Sequence, residues 1–410
     1  MLITQYLAGQ GLINLVNIVV GLILLRVLPI EEFALYTIAI ALQQVAAMGS
    51  DMGLSHAINT MGARIREGRY LLGSLYAGAC FYGYRLYAVA ACIVTILFVL
   101  IQSSHAWSRA NVISVLFLIL LTAVLQVTIN FRKSILNLNH DAKALFYVGM
   151  AQAGVKLLFV PLCLFWPYAS IAFLGNLVGT YACKWVIERQ CRSRLEEKQL
   201  AIESQKDGLK KFIIPLMPVV VYHTLQGQIS IFLLGYFGYT ASIAELGALG
   251  RLGQLIGLLM LLNGFFIQPV FSRINQRNEF IKKGAIILLF LIVFSIISML
   301  TVHWLPEWWL YIIGKNYSNL GTELPITVLT ALLSLIGSTL YVVVISRNTT
   351  DGQPWYIVIG LSMQLAFLAI RGVHSTYDAL LLSLIPVLSY ACLQMVILVR
   401  ILIKWERSQL

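Results

Sequence analysis

The chain has 410 residues, of which 59% are hydrophobic and 11% charged, and a formal net charge of +12 at pH 7. So much apolar surface and so little charge exclude a water-soluble enzyme or binding module of this size. The basic balance does not require nucleic acid, because an excess of Lys and Arg on one membrane face accounts for it and attracts anionic lipid head groups.

A bilayer core is about 30 Å thick and a helix rises about 1.5 Å per residue, so about 20 apolar residues make one span. In chain order, such segments are predicted at 7–28, 33–55, 83–102, 110–131, 144–164 and 168–188. After a polar stretch, six more are predicted at 212–235, 241–268, 284–304, 324–346, 354–371 and 377–400. The opening, MLITQYLAGQG, lacks a basic region and a small-residue cleavage site, so the first span reads as a retained helix. Pro215 and Pro218 fall in the first turns of the predicted seventh span, where a missing N–H costs least. Pro386 lies in the middle of the last span and is a hinge candidate.

The longest polar stretch, Glu188 to Lys211, follows the sixth of the twelve spans. It predicts an all-α integral membrane fold with a six-helix lobe over 1–190, a basic cytoplasmic linker over 191–211 and a second six-helix lobe over 212–410, arranged around a central cavity. Repeated bundles of this kind are common in secondary transporters. A faint internal echo supports the division: LLRVLPIEEFALY and LLGYFGYTASIAELGAL both run from an apolar helix through a short turn to an acid, Glu32 and Glu245. With the N-terminus inside, most of the 29 Lys and Arg fall on the cytoplasmic side, and only Arg26, Arg109, Lys315 and Arg371 fall outside. Both termini are therefore expected in the cytoplasm. The outer turns are short except around Leu305 to Glu323, so no outer domain is expected to carry independent chemistry. Cys80, Cys92, Cys163, Cys183, Cys191 and Cys392 are scattered without metal-ligand spacing and read as packing residues, and no metal or cofactor is expected.

Three segments resemble a known family. GLILLRVLPIEEFALYTIAIALQQVAAMGSDMGLSHAINTMGARI, with Arg26, Glu32, Tyr36, Gly53 and Leu54, resembles the opening hairpin of bacterial lipid-linked oligosaccharide flippases. Those are polysaccharide and O-antigen exporters within the multidrug, oligosaccharidyl-lipid and polysaccharide (MOP) superfamily, whose fold is MATE-like. LLGYFGYTASIAELGALGRLGQLIGLLMLLNGFFIQPVFSRI, with Pro269 and Ser272, is similar to the family's seventh-to-eighth span region, and LYIIGKNYSNLGTELPI, with Gly314 and Tyr317, is a third match. The resemblance implies a flippase that carries undecaprenyl-pyrophosphate-linked repeat units of O-antigen, capsule or exopolysaccharide across the bacterial inner membrane by alternating access. It also implies a polysaccharide polymerase and a chain-length regulator as partners. Family members place an acid near the middle of the seventh span, where this chain has QGQISIF with Gln226, Gln228 and Ser230, so coupling through that acid does not carry over.

Three basic residues lie deep in predicted spans: Arg85, Lys156 and Arg251. A charge at a span centre costs about 2.5–3.5 kcal/mol on insertion scales, so it normally faces a bundle interior or an aqueous cavity. Arg251 either contacts substrate or pairs with Glu245 or Gln254. Lys156, one turn from Gln152, is read as substrate-binding, against a structural alternative. Arg85 either snorkels to the inner head groups or joins the binding set. Gln43, Gln44, Gln126 and Gln226 either line a passage or tie helices together. Asp51, between Gly49 and Gly53, caps a turn or holds a salt bridge, and with Glu245 and His223 it is a candidate for coupling or gating. Deep cations with acids only at helix ends match an anionic substrate and not a cationic drug. A multidrug or small-solute exporter remains the alternative within transport. A membrane-embedded polysaccharide polymerase or acyltransferase is the alternative in another class, and a non-transporting scaffold a third. None of the transport readings requires an enzyme's covalent chemistry.

Overall fold

The computed structural model describes residues 2–64, 69–139, 141–192, 195, 203–274, 276–347 and 354–407. Within the predicted linker, residues 193–194 and 196–202 lie outside the described residues. Every regular element among those described is helical. In chain order they are α1 (Leu2–Val27), α2 (Ile30–Asp51), α3 (Leu54–Arg64), α4 (Arg69–Gln102), α5 (Arg109–Leu138), α6 (Ala142–Phe165), α7 (Ala169–Cys191), α8 (Glu203–Gln226), α9 (Ile229–Tyr236) and α10 (Thr240–Gly257). A 3₁₀ turn, Leu258–Met260, and a π turn, Asn263–Ile267, lead to α11 (Gln268–Ser272), α12 (Arg277–Trp304), α13 (Pro306–Ile313), α14 (Leu324–Ile345), α15 (Trp355–Ile370) and α16 (Thr376–Arg407).

Ten of these stretches are long and apolar enough to cross a bilayer. An eleventh is the pair α8 and α9, bent by 56° at Gly227 and Gln228. The one predicted span left over, 354–371, corresponds to α15, whose 16 residues cover only about 24 Å of rise. The twelve predicted segments are thus all helical, but two of them are not straight full-length spans. The third span also begins earlier than predicted, at Tyr70, which puts Arg85 in the middle of α4 and not at its inner end. Likewise α8 begins at Glu203, so Pro215 and Pro218 sit in the helix interior, where each removes a backbone hydrogen bond. In contrast, α16 runs without interruption through Pro386.

The chain forms two compact units, Met1–Ala244 and Glu245–Leu410, with the division inside α10. In the first unit α7 packs on both α5 and α6, α1 on α6, and α2 on α4 and α5. Two glycines one turn apart on α7 permit the α6 contact. A Cβ on Gly175 would lie 2.7 Å from Phe159 Cβ, and one on Gly179 would lie 2.8 Å from the Gln152 carbonyl oxygen. Small residues spaced in this way let helix backbones approach where lipid removes the hydrophobic drive to associate. Phe131, Ile135, Val148, Cys183 and Ile187 fill the inner core of this unit. The chain turns between α2 and α3 through Met52 and Gly53, at φ 41° and 89°. There the Asp51 carboxylate accepts the Ser55 N–H at 2.8 Å, the turn-capping geometry expected of a short acid. α8 and α9 pack against α2 and α4 of the same unit.

In the second unit α14 packs on α16 and α12, and α15 on α16, around Phe271, Phe280, Val344 and Ile397. α12 leaves Ile286, Leu289, Phe290, Val293, Ile296 and Ile297 exposed, a surface suited to lipid and not to water.

Candidate functional site

In the first unit, Glu32 sits in the first turn of α2, where helix N-termini favour carboxylates. It accepts the Asn111 amide at 2.8 and 3.0 Å and the Ala169 backbone N–H at 2.7 Å. One carboxylate thereby joins the starts of α2, α5 and α7.

Two turns deeper, the buried Asn176 amide donates to Gln43 Oε1 at 2.6 Å, linking α7 to α2. Thr180 donates to the Asn176 carbonyl at 2.8 Å, and Gln152 of α6 donates to Thr180 Oγ1 at 3.3 Å. Lys156, half-buried one turn beyond Gln152, lines a cavity of about 10 Å³ with Tyr36, Asn176 and Cys163. That volume holds about one water molecule. The polar seam therefore brings Gln43 and Lys156 into one neighbourhood inside the first unit. Gln44, which is exposed, accepts a hydrogen bond from Gln228 at 2.7 Å, fastening the α8–α9 break to α2.

The remaining predicted residues of this unit are dispersed. Arg85 is exposed and its guanidinium lies 3.9 Å from the centroid of the Phe81 ring, one turn away. Gln126 is half-buried on α5, Gln226 ends α8 at the break, and His223 is exposed beside Tyr222. Asp51 is committed to its turn. At the other end of α4, His105 Nε2–H donates to the Gly235 carbonyl at 2.8 Å, and Nδ1 meets Thr240 Oγ1 at 2.7 Å. Its ring stacks on Trp107 at 4.1 Å. Burial pushes the His105 pKa below the ordinary imidazole range, although the bond to Gly235 opposes the shift.

In the second unit, Glu245 near the start of α10 accepts a hydrogen bond from Thr376, the first residue of α16. Tyr317 is buried nearby, and burial, reinforced by the Glu245 charge, raises its phenol pKa. α16 carries a reciprocal cap: Ser375 donates to Asp378 Oδ2 at 2.9 Å and accepts the Asp378 N–H at 3.2 Å, while Arg371 pairs with Asp378 at 2.7 Å. Arg251 is half-buried on α10, where Nη1 donates to Gln254 at 3.2 Å and Nε has no hydrogen-bond partner among the described residues. Its partner is thus Gln254 and not Glu245. Asn263, in the π turn, is tied to Ser338 and Thr339 of α14 at 3.0 and 2.9 Å.

The two halves of the chain repeat the same fastenings. Glu32 takes the first N–H of α7, the sixth span, and Glu245 takes the first hydroxyl of α16, the last span. Arg132 near the end of α5 lies over the Tyr76 ring at 5.3 Å and pairs with Glu188 at 2.9 Å. Correspondingly, Arg347 just past α14 lies over the Phe280 ring at 4.5 Å and donates to the Ile274 carbonyl at 2.5 Å. The sequence echo around Glu32 and Glu245 therefore has a structural counterpart, each acid fastening the first residue of a later span. Sequence reading passed over Asn176, Thr180 and Asn263. The signal available for the first two was a pair of hydrogen-bonding residues at i and i+4, each next to a glycine of α7, in an otherwise apolar span.

Among the described residues no group of three or more His, Cys, Asp or Glu is placed to hold a metal. Ten apolar spans and no regular element other than helix among the described residues make this a multi-pass membrane fold, and the fold is that of the MATE-like transporters. An inward-facing multidrug-resistance MATE family transporter of the MOP superfamily matches with a TM-score of 0.65 at 15% identity, covering 97% of this chain and 94% of that one. The lipid II flippase MurJ, in an inward closed conformation, matches with a TM-score of 0.66 at 16% identity, covering 95% and 86%. A MOP superfamily transporter from Pyrococcus furiosus with a binding pocket of reversed polarity matches with a TM-score of 0.58 at 13% identity, covering 100% and 94%. No family model and no curated protein sequence matches the chain.

Proposed function

We propose that this chain is a flippase that moves an oligosaccharide repeat unit on an undecaprenyl-pyrophosphate carrier across the bacterial inner membrane by alternating access, with both termini cytoplasmic and six-helix lobes over 1–190 and 212–410. The carrying observation is the sign and depth of the ionisable groups. Lys156 lies near the middle of α6 and Arg251 near the middle of the span Thr240–Met260, whereas every acid in a helix, among the described residues, lies within about two turns of an end of that helix. Deep guanidinium and ammonium groups in low dielectric favour a pyrophosphate and disfavour a cationic drug. The fold likeness to a lipid II flippase supports a lipid-linked cargo.

In this reading Lys156 and Arg251 each offer a cation to the head group, with Arg85, Gln43, Gln126 and Gln226 as secondary contacts and Glu245, Asp51 and His223 as gating or coupling groups. A polysaccharide polymerase and a chain-length regulator would act on the product. The test is the level of undecaprenyl-linked oligosaccharide and of surface polysaccharide in deletion cells complemented with wild type or with Lys156→Ala plus Arg251→Ala. Accumulated lipid-linked repeat and lost surface glycan, rescued by wild type alone, is the expected result. Unchanged glycan and carrier levels in a deletion strain with no second flippase would sink the proposal. The likeness to a multidrug transporter favours a second reading, export of small solutes. Transport of cationic dyes that pyrophosphate lipids do not inhibit would establish it instead.

A further inference from the structure

The second unit holds a cavity of about 270 Å³ where α10 gives way to α12, apart from the deep cations discussed above. Its construction follows from the backbone. The π turn widens the helix at Asn263–Ile267, Asn263 is fastened to α14, and Pro269 starts the short α11. Phe266 and Val270 are left on one wall, 54% and 41% exposed. Ile274, 3% exposed, is part of the lining, and its carbonyl is held by Arg347, itself stacked on Phe280. The first two turns of α12 supply Glu279 and Lys283, paired at 2.7 Å. Arg273 completes the lining, and its exposed guanidinium makes no hydrogen bond or ion pair among the described residues. The only acid among the described lining residues is thus already engaged by a lysine, and the arginine charge is left for a ligand. The volume is just below the roughly 300–1,000 Å³ of pockets for drug-sized ligands, the scale of a head group and not of a whole lipid. Arg273 and Lys283 belong to a basic segment assigned to the cytoplasmic side, where an anionic leaflet attracts such groups.

We infer that this cavity binds the phosphate head group of an anionic phospholipid of the inner leaflet, with Arg273 on the phosphate and Phe266 and Val270 against the glycerol and first acyl carbons. This site is independent of the transported cargo. It offers a lipid-dependent stabilisation of the α10–α12 junction whether or not the chain exports glycan.

The test is native mass spectrometry and thermal unfolding of the full-length protein in detergent, with phosphatidylglycerol, phosphatidylethanolamine or inorganic phosphate added. The expected result is preferential retention of phosphatidylglycerol over phosphatidylethanolamine, reduced about fivefold or more by Arg273→Gln and partly restored by Arg273→Lys. Phe266→Ala weakens retention of the lipid. Because the Arg273 side chain is exposed and makes no hydrogen bond or ion pair among the described residues, its variants keep the wild-type unfolding temperature in the absence of lipid. Equal retention by wild type and Arg273→Gln overturns the site. Stabilisation by inorganic phosphate equal to that by phosphatidylglycerol overturns the lipid assignment.

Discussion

Replacing Glu32 with alanine tests whether one carboxylate holds three helix starts together. The side chain is half-buried and takes hydrogen bonds from Asn111 and from the Ala169 N–H. Hydrogen bonds to a charged group contribute about 1.5–3 kcal/mol each, and partial exposure argues for the lower end. Two such bonds give about 3 kcal/mol, and loss of the favourable charge at the α2 N-terminus adds about 0.3–1 kcal/mol. Glu32→Gln keeps one carbonyl acceptor and forfeits the charge, so it costs about half as much. The assay is the unfolding temperature of the detergent-solubilised protein, read as an ordering because a chain with two units need not unfold in one step. The expected order is wild type, Glu32→Gln, then Glu32→Ala, with Asn111→Ala close to Glu32→Gln. In a double-mutant cycle Glu32 and Asn111 couple by about 1 kcal/mol or more, since they share a bond. A Glu32→Ala protein that unfolds with wild type, or additive effects of the two single changes, would refute the clamp.

Gly179→Ala places a methyl 2.8 Å from the Gln152 carbonyl oxygen, so α6 must move, whereas Gly154→Ala meets nothing within 4 Å. The first is expected to destabilise by about 1–3 kcal/mol and the second to leave stability unchanged or raise it by about 0.5–1 kcal/mol, as thermal unfolding of the pair will read. Gln43→Ala strands the buried Asn176 amide, which costs about 1–3 kcal/mol; Gln43→Glu, which restores an acceptor, should recover part of that loss in the same assay. Burial lowers the His105 pKa in the folded state, so the unfolded loop binds the proton first. The docking of 103–108 is then fully present above the unfolded value of about 6.5 and is lost as pH falls below it. Relative to the intrinsic exchange rate at each pH, the 101–108 peptide should lose protection at pH 5.5 compared with pH 7.5 in wild type, and His105→Ala should be poorly protected at both.

The all-helical kind of the elements and the place of most spans were legible in the sequence because the bilayer imposes a local rule. Each span must be long and apolar in its own right, whatever it packs against. The Asp51 cap was legible for the same reason: the carboxylate acts within four residues of its partner, Ser55. The paired acids Glu32 and Glu245 were visible as an echo, but their partners were not, since Asn111, Ala169 and Thr376 lie 79, 137 and 131 positions away. A lipid-facing helix is apolar all round, so hydropathy does not reveal which face meets a neighbour. Only the tertiary structure could therefore decide that Arg85 stacks on Phe81 at an exposed face, that Lys156 joins the seam of Gln43 and Asn176, and that Arg251 turns to Gln254 and not to Glu245. The interior position of Pro215 and Pro218 in α8 was hidden for a related reason. Prolines tolerated at a helix start and prolines that disturb a helix interior look alike until the first turn is located, and here that turn lies at Glu203, among the charged residues of the linker.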